Sequence, residues 1–297
     1  MKTVQEVLRS GAAYLEARGI DAARSSMQSL MAHVLGKTRT WLYLHMDDVL
    51  SEDVLAPLRE LLRKRGQGTP LQHLLGVVEF FRRNFRTDGR ALIPRPETEE
   101  LVEMTLARTP RREGLRVLDM GCGSGVIGIT LALELRELQP LVVMADISPA
   151  ALDLALENAT TLGARVQTYT SDLFSAWLPT ESEEDTRIMP PESFDVILAN
   201  LPYVPEGEEV AAEVRHDPAR ALYGGADGLD IIRRFVPEAL QRLSPGGLIA
   251  LEVGHDQGEA VCELMREAGY VDVELLSDMS GKPRFPTGRT RPAAKDE

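Results

Sequence analysis

The chain has 297 residues, of which 43% are hydrophobic and 27% are charged, so it is long enough for two folded domains and too hydrophobic for a disordered chain. Its formal net charge of −13 arises in residues 91–297, where 19 Lys and Arg face 36 Asp and Glu, which makes that part a poor surface for nucleic acid. No apolar signal core starts the chain and no apolar run has the length of a membrane span, so we expect a cytoplasmic protein that binds no membrane.

Residues 1–65 are predicted to form a small all-α domain. Apolar residues recur there at helical spacing, and breaks between helices are predicted at Gly19, Gly36 and Asp47-Asp48. Residues 1–90 carry 14 Lys and Arg against 10 Asp and Glu. This surplus of positive charge indicates either a surface for an acidic partner or ordinary solvated helix faces.

Residues 66–98 are predicted to link this domain to the rest of the chain. Strand-forming residues between 76 and 90 indicate a β-hairpin with its turn at Arg82-Arg83-Asn84. The segment Leu92-Ile-Pro-Arg-Pro-Glu-Thr98 follows, and its two prolines restrict φ. It is either a plain entry into a helix at 99–107 or a stiff wall beside a site.

Residues 99–297 are predicted to form an α/β domain, because strands and helices alternate along them. The predicted strands are 116–119, 141–146, 166–170, 194–199, 248–253 and 271–276. This pattern is typical of a doubly wound, mostly parallel sheet with helices on both faces. Within it, the polar and proline-rich residues 179–193 are predicted to be a mobile surface insertion.

A glycine-rich loop follows the first of these strands and predicts a nucleotide-like cofactor. Glycines let the backbone approach a ligand closely. The loop consists of Gly121, Cys122, Gly123, Ser124 and Gly125.

Two carboxylates at the ends of the next strands support a nucleoside ligand. Asp146 could accept both hydroxyls of a ribose, and Asp172 could accept an adenine amino group. Each could instead serve only to start the helix or turn that follows it. The G-x-G-x-G spacing departs from the dinucleotide fingerprint, and Asp119 before the loop would repel a phosphate. We therefore expect S-adenosylmethionine, a sulfonium nucleoside, rather than NAD.

Four residues after the predicted strand 194–199 form a candidate clamp for a planar nitrogen group. Asn200 can accept one N–H through its side-chain oxygen, and the Leu201 carbonyl can accept another. Pro202 stiffens the turn, and Tyr203 can stack on a flat π-system. Together with the glycine loop, the clamp predicts transfer of a group to a planar nitrogen.

At several motifs the chain resembles the HemK-type family, the peptide chain release factor glutamine N5-methyltransferases. The resemblance covers nearly the whole chain, and its most specific parts are the Pro-Arg-Pro-Glu-Thr segment and Gly-Gly-Ala-Asp-Gly-Leu-Asp. The motifs that carry it are residues 92–99, 118–125, 200–203, 221–230, 245–247, 252–258 and 288–289.

The resemblance implies a class I methyltransferase fold and a role for each matching residue. The loop Gly121 to Gly125 and Asp146 would hold S-adenosylmethionine, and Asp172 and Leu173 would border its adenine. Asn200 to Tyr203 would clamp the glutamine of a Gly-Gly-Gln loop in a release factor, and Asn200 would also contact the cofactor. The resemblance also implies that residues 1–65 dock the release factor and that 99–297 form the methyltransferase domain. A monomer without metal is expected.

One departure from the family keeps other hypotheses open. The family's usual motif is Asn-Pro-Pro-Tyr, and here Leu201 replaces the first proline, which removes a fixed φ and adds a backbone N–H. A cofactor-binding scaffold without catalysis is one alternative. An amino methyltransferase acting on adenine N6 of a nucleic acid is another, because similar clamps serve exocyclic amines.

Overall fold

The protein, described here by a computed structural model, forms two compact units. The described residues are 2–178 and 189–293, so most of the predicted insertion at 179–193 lies outside them. One unit takes the residues up to Val78 together with Thr87–Gly89 and Val210–His216. The other takes Glu79–Arg86, Arg90–Glu209 and the chain from Asp217 onward.

The first unit consists of helices around an apolar core. The helices are α1 Val4–Glu16, α2 Ala23–Leu35, α3 Arg39–Leu44, α4 Glu52–Gly66 and α5 Leu71–Leu75. Thr3 and Glu6 form a reciprocal capping box that starts α1, and Gly36, with a positive φ of 62°, ends α2 as predicted. Large apolar side chains from α1, α2, α3 and α4 are fully buried together.

Two elements of this unit were not predicted. The residue pairs β1 Lys2–Thr3 and β2 Val49–Leu50 form a short antiparallel ladder. Helix α5 occupies part of the predicted linker, where its five residues between Pro70 and Gly76 are too few for helical periodicity to be visible.

Most of the clustered basic residues before position 90 have acidic partners within their own unit. Arg63 pairs with Glu60, and the buried Arg65 pairs with Glu213. Arg83 pairs with Glu134 at 2.6 Å. These pairs favour the interpretation of the basic clusters as structural charges over a surface for an acidic partner.

A β-hairpin is present, but its turn differs from the predicted one. Strand β3 is Val77–Phe80 and strand β4 is Arg83–Arg86. The turn residues are Phe81 and Arg82, with φ of 49° and 60°. Two successive positive φ values are the geometry of the two-residue turns that match strand twist. Such turns usually carry Asn or Gly. Because Phe and Arg occupy these two positions, the sequence did not indicate where the turn lies.

The second unit contains a seven-stranded sheet with helices packed on it, which confirms the predicted α/β class. The strands are β5 Arg116–Met120, β6 Leu141–Asp146, β7 Gln167–Thr170, β8 Phe194–Ala199, β9 Leu243–Leu251, β10 Val271–Ser277 and β11 Pro283–Arg289. The helices are α6 Pro96–Arg108, α7 Val126–Glu134, α8 Pro149–Leu162, α9 Asp230–Arg242 and α10 Gly258–Ala268.

The sheet has the order β10-β11-β9-β8-β5-β6-β7. Strands β5 to β9 are parallel, and β10 and β11 are antiparallel to their neighbours. The strand order reverses between β5 and β8. In open α/β sheets the crevice at the carboxyl ends of strands at such a reversal is where ligands bind.

Strand β11 is the seventh strand, which the sequence pattern did not predict. It contains two prolines and a glycine, which are rare inside strands because proline cannot donate to a ladder. It nevertheless pairs with β9 on one side and with β10 on the other. Among the described residues, no helix is long and apolar enough to cross a membrane.

Candidate functional site

A cavity of about 480 Å³ lies at the carboxyl ends of the parallel strands of the second unit. Its walls come from the loops after β5, β6, β7 and β8 and from the segment before α6. It brings together most of the residues predicted for the site, namely Gly121, Cys122, Gly123, Ser124, Asp146, Asp172, Leu173, Asn200, Leu201 and Pro202.

Two predicted site residues, Gly125 and Tyr203, do not line the cavity. Gly125 precedes α7 with a φ of 82°, and a Cβ there would lie 2.9 Å from Ile129 Cδ1 and 3.0 Å from Ala155 Cβ. Its role is therefore close packing of α7 on its neighbours. Tyr203 packs its ring against the main core, where burial raises its pKa to about 12.

The glycine loop keeps its backbone open towards the cavity. Gly121 and Gly123 both have positive φ. A Cβ at Gly123 would meet only Ala91 Cβ, at 3.7 Å. From the other side, the buried Asn158 of α8 donates from Nδ2 to the Ser124 carbonyl at 2.9 Å and fixes the end of the loop.

Asp146 holds the glycine loop and still has capacity for a ligand. Its Oδ2 accepts from Gly123 N at 2.9 Å, and its Oδ1 accepts from Ser148 N at 2.8 Å. Burial raises its pKa, and these two N–H groups oppose that rise. Each carboxylate oxygen retains a lone pair, so the residue can accept two hydroxyls while Ser148 caps α8.

Asp119 lies behind the loop and not in the cavity, which corrects the expectation that it would repel a phosphate there. Its Oδ2 accepts from Gly128 N in the first turn of α7 at 2.8 Å. The side chain is fully buried, and burial raises its pKa to about 7. The spacing of the glycines remains as the argument against a dinucleotide.

Asp172 and Leu173 form the wall that follows β7. Asp172 is half exposed, and both its oxygens lie 3.2 Å from Arg234 Nη2. A ligand amino group would therefore share this carboxylate with Arg234. Leu173 is buried and has a φ of 47°.

The backbone of the clamp is held by Gln257, which precedes α10, and by the loop that carries the Gly-Gly-Ala-Asp-Gly motif. Gln257 Nε2 donates to the Tyr203 carbonyl at 2.8 Å. A Cβ at Gly224 would lie 2.3 Å from the Pro202 carbonyl oxygen, and one at Gly228 would lie 2.0 Å from the Tyr203 carbonyl oxygen. The motif therefore requires glycine because the clamp backbone packs directly on it.

Leu201, the departure from the family pattern, connects the clamp to the cofactor loop. Its side chain is buried, and its Cδ2 lies 2.9 Å from where a Cβ of Gly121 would be. The leucine therefore fills space between the two loops that a shorter side chain would leave open.

A buried polar group at the base of the clamp was missed by sequence reasoning. Thr98 Oγ1 donates to Glu252 Oε2 at 2.8 Å, and Asn200 Nδ2 donates to Thr98 Oγ1 at 3.2 Å. The Asn200 side chain also hydrogen-bonds Glu252. Glu252 is 2% exposed, and burial raises its pKa to about 7.

The pairing of β8 with β9 explains why these polar residues cluster. Their positions directly after two strands were a sequence signal from which the cluster could have been predicted. Ala199 pairs with Leu251 in parallel register. The polar residues that follow them, Asn200 and Glu252, are therefore side by side where the strands end.

The Pro-Arg-Pro segment forms a wall of the cavity through Leu92, Pro94 and Arg95. The buried Asp217 accepts from Ile93 N at 3.2 Å and from Arg95 Nη2 at 3.2 Å. These contacts favour the interpretation of the segment as a fixed wall over that of a plain linker.

The polar groups that the cavity offers are oxygen acceptors and open backbone. Within residues 2–178 and 189–293, no group of three or more His, Cys, Asp or Glu is placed to hold a metal ion. Cys122 is a buried free thiol, and burial raises its pKa well above its usual value.

Two family models match the chain. Residues 6–76 match the PrmC N-terminal domain, and residues 101–273 match the methyltransferase small domain. The second match covers more than half of the chain, so the second unit is a methyltransferase domain by family as well as by fold.

Curated relatives match over nearly their full length. The release factor glutamine methyltransferase of Geobacter sulfurreducens is 38% identical over 97% of this chain and 96% of its own. That of Koribacter versatilis is 37% identical over 97% and 98%, and that of Bacillus cereus is 37% identical over 95% and 97%.

A solved structure with a similar fold is the 16S rRNA N2 G1207 methyltransferase of T. thermophilus, in complex with AdoMet and guanosine. It has a TM-score of 0.50 and 20% identity and covers 72% of this chain and 50% of that one. At this identity it supports the fold alone. With the clamp and loop in one cavity and the full-length similarity to curated relatives, the chain belongs to the release factor glutamine methyltransferase family.

Proposed function

We propose that this protein methylates the side-chain amide nitrogen of a glutamine in peptide chain release factors, with S-adenosylmethionine as the methyl donor. The observation that carries the proposal is the position of Asn200. It lies at the end of β8 in the same cavity as the glycine loop and Asp146. The two oxygen acceptors that would bind the N–H groups of a planar nitrogen, Asn200 Oδ1 and the Leu201 carbonyl, are therefore beside a site suited to a nucleoside.

The residues of the cavity fit S-adenosylmethionine. Asp146 retains lone pairs for the ribose hydroxyls, and the open face at Gly123 leaves room for ligand atoms against the backbone. Asp172 and Leu173 would border the adenine. The bound cofactor supplies an electrophilic methyl group, so the protein has to provide position more than activation.

Orientation of the amide nitrogen is the chemical task of the clamp. An amide nitrogen is a weak nucleophile because its lone pair is delocalised. Asn200 Oδ1 and the Leu201 carbonyl, both acceptors, would hold the two N–H bonds and stabilise positive charge that develops on nitrogen. Holding the reacting atoms about 3–3.5 Å apart in line contributes much of the rate in such reactions.

The helical part matches the PrmC N-terminal domain and lies outside the residues that match the methyltransferase small domain, so a role apart from cofactor binding is assigned to it. We assign docking of the release factor to residues 1–65, the link to 66–98 and catalysis to 99–297. The target is the glutamine of the Gly-Gly-Gln loop, and the protein acts as a cytoplasmic monomer.

The proposal is tested by incubating an unmethylated release factor with this protein and S-adenosylmethionine. Peptide mass spectrometry should show the mass of one added methyl group on the glutamine of the Gly-Gly-Gln loop. Asn200→Ala should lower the rate by about 100-fold or more, since a single oriented electrostatic contact contributes that much in comparable sites. Methylation of adenine in DNA or RNA instead, with no modified glutamine, would refute the proposal.

A further inference from the structure

The side chain of Asn200 has a defined orientation because its amino group is engaged inside the protein. Nδ2 donates to Thr98 Oγ1 at 3.2 Å, and Glu252 is a second acceptor beside it. Thr98 is 3% exposed and Glu252 is 2% exposed, so water does not compete for these bonds. The remaining polar atom of the amide, Oδ1, is then the one available to a ligand.

Charge makes this orientation strongly preferred. A carboxylate has acceptors only, and a threonine hydroxyl that donates to it presents a lone pair to its other neighbour. If the Asn200 amide turned over, Oδ1 would face these acceptors and would be buried without a donor, which is unfavourable. Glu252 therefore fixes the orientation of the Thr98 hydroxyl, and the two residues together fix the orientation of the Asn200 amide.

We propose that Thr98 and Glu252 are positioning residues that hold the Asn200 amide with its oxygen turned to the substrate nitrogen. The inference rests on the proposed function. It adds that the clamp extends beyond residues 200–203 to a pair of residues from α6 and from the end of β9. Thr98 lines the cavity and Glu252 lies outside its lining, and the role assigned to each is exerted through Asn200.

The rate should depend on pH through Glu252. Burial raises its pKa to about 7, the Thr98 hydroxyl opposes this rise, and the other charges facing it are Glu97 of α6 and Arg284 of β11, with Arg95 and Tyr203 nearby. A protonated Glu252 loses acceptor capacity, so kcat should fall as the pH drops through about 7.

The test is a set of variants of the full chain assayed with a release factor and S-adenosylmethionine. Thr98→Val and Glu252→Gln should each lower kcat by about 10- to 100-fold, because a small misplacement of an orienting group costs this much. The Kd for the cofactor, measured by calorimetry, should change by less than about twofold, since neither residue is assigned to it. Thr98→Ser should restore most of the rate.

Glu252→Gln should remove the fall in kcat below neutral pH.

Thr105→Val is the matched control. Thr105 lies on the same helix, is equally buried, and its Oγ1 has no hydrogen-bond partner in the described structure. Its loss should leave kcat unchanged. A similar loss of kcat in Thr98→Val and Thr105→Val would indicate general damage to α6 and would overturn the proposal.

A double-mutant cycle separates positioning from other effects. Thr98→Val should have no further effect on kcat in the Asn200→Ala background, because residues that act through one another are not additive. Full additivity would overturn the proposal.

A second readout does not depend on the substrate. In wild-type protein the Asn200 side-chain NH2 resonances should be protected from exchange, and Thr98→Val should remove that protection. Protection that persists in Thr98→Val and Glu252→Gln would also overturn the proposal. An inactive wild type with protected resonances would instead contradict the proposed function alone.

Discussion

At the residue scale, the site combines polar groups that sequence reasoning found with others that it could not. Asn200 and Asp146 were predicted because each follows an apolar run at the end of a strand. Thr98 was part of a noted motif without a role, and its partner Glu252 is 154 positions away in the chain. Such a pair becomes visible only when strand order and register are known, because both decide which strand ends meet.

Asp119 gives a residue-scale prediction about stability. Its pKa is about 7 in the folded protein, where burial raises it, and an unfolded chain has the usual value of about 3.9. The folded state thus keeps a proton that the unfolded state releases. This contribution to stability is fully present below about pH 4 and is lost as the pH rises through about 7.

Asp119→Asn should therefore flatten the pH dependence of the free energy of unfolding between about pH 4 and 7, by up to ~4 kcal/mol over that range. Urea denaturation at a series of pH values measures this. Glu252 has a raised pKa with the same sign and stays in the variant, so some slope should remain. An unchanged slope would show that Asp119 titrates normally.

At the element scale, continuous apolar runs predicted the parallel strands well, because strands buried on both faces carry few polar residues. Elements without such a pattern were missed. Helix α5 is a single short turn between Pro70 and Gly76, and β11 carries prolines. The hairpin turn was predicted too late in the chain, because Phe81 and Arg82 are unusual residues at positive φ.

The loop that carries Gly228 gives an element-scale prediction. Gly228→Ala combines a strained φ with a Cβ 2.0 Å from the Tyr203 carbonyl oxygen, so the clamp backbone has to move. Gly163→Ala is the matched control, since its φ of 70° is close to the 79° of Gly228 but nothing lies within 4 Å of its Cβ. The control should lose about 1–2 kcal/mol of stability from backbone strain alone and keep its activity.

Gly228→Ala should lose more stability than the control and lower kcat by about tenfold or more, because the clamp is misplaced. Thermal denaturation and the methylation assay measure the two effects. Equal behaviour of the two variants would mean that the loop does not support the clamp.

At the scale of the whole molecule, cofactor binding should couple to stability. A ligand that binds only the folded chain, present at 100 times its Kd, raises the free energy of unfolding by about 2.7 kcal/mol. Thermal denaturation with and without S-adenosylmethionine should therefore show a higher midpoint with the cofactor.

Asp146→Ala should abolish this increase, and Asp153→Ala, an exposed residue of α8, should retain it. The comparison uses unfolding alone and needs no release factor. A full midpoint shift in Asp146→Ala would assign the ribose acceptor to another residue.

The position of β11 in the sheet has a consequence for biosynthesis. This strand lies between β9 and β10, both of which precede it in the chain. While the protein is being made, the edge of β9 therefore stays without its partner until residue 289 has left the ribosome. The neighbouring residues Leu248 to Leu251 are buried and apolar in the finished fold. An unpaired apolar edge is an aggregation hazard, so the nascent chain is exposed to that hazard until β11 pairs with β9.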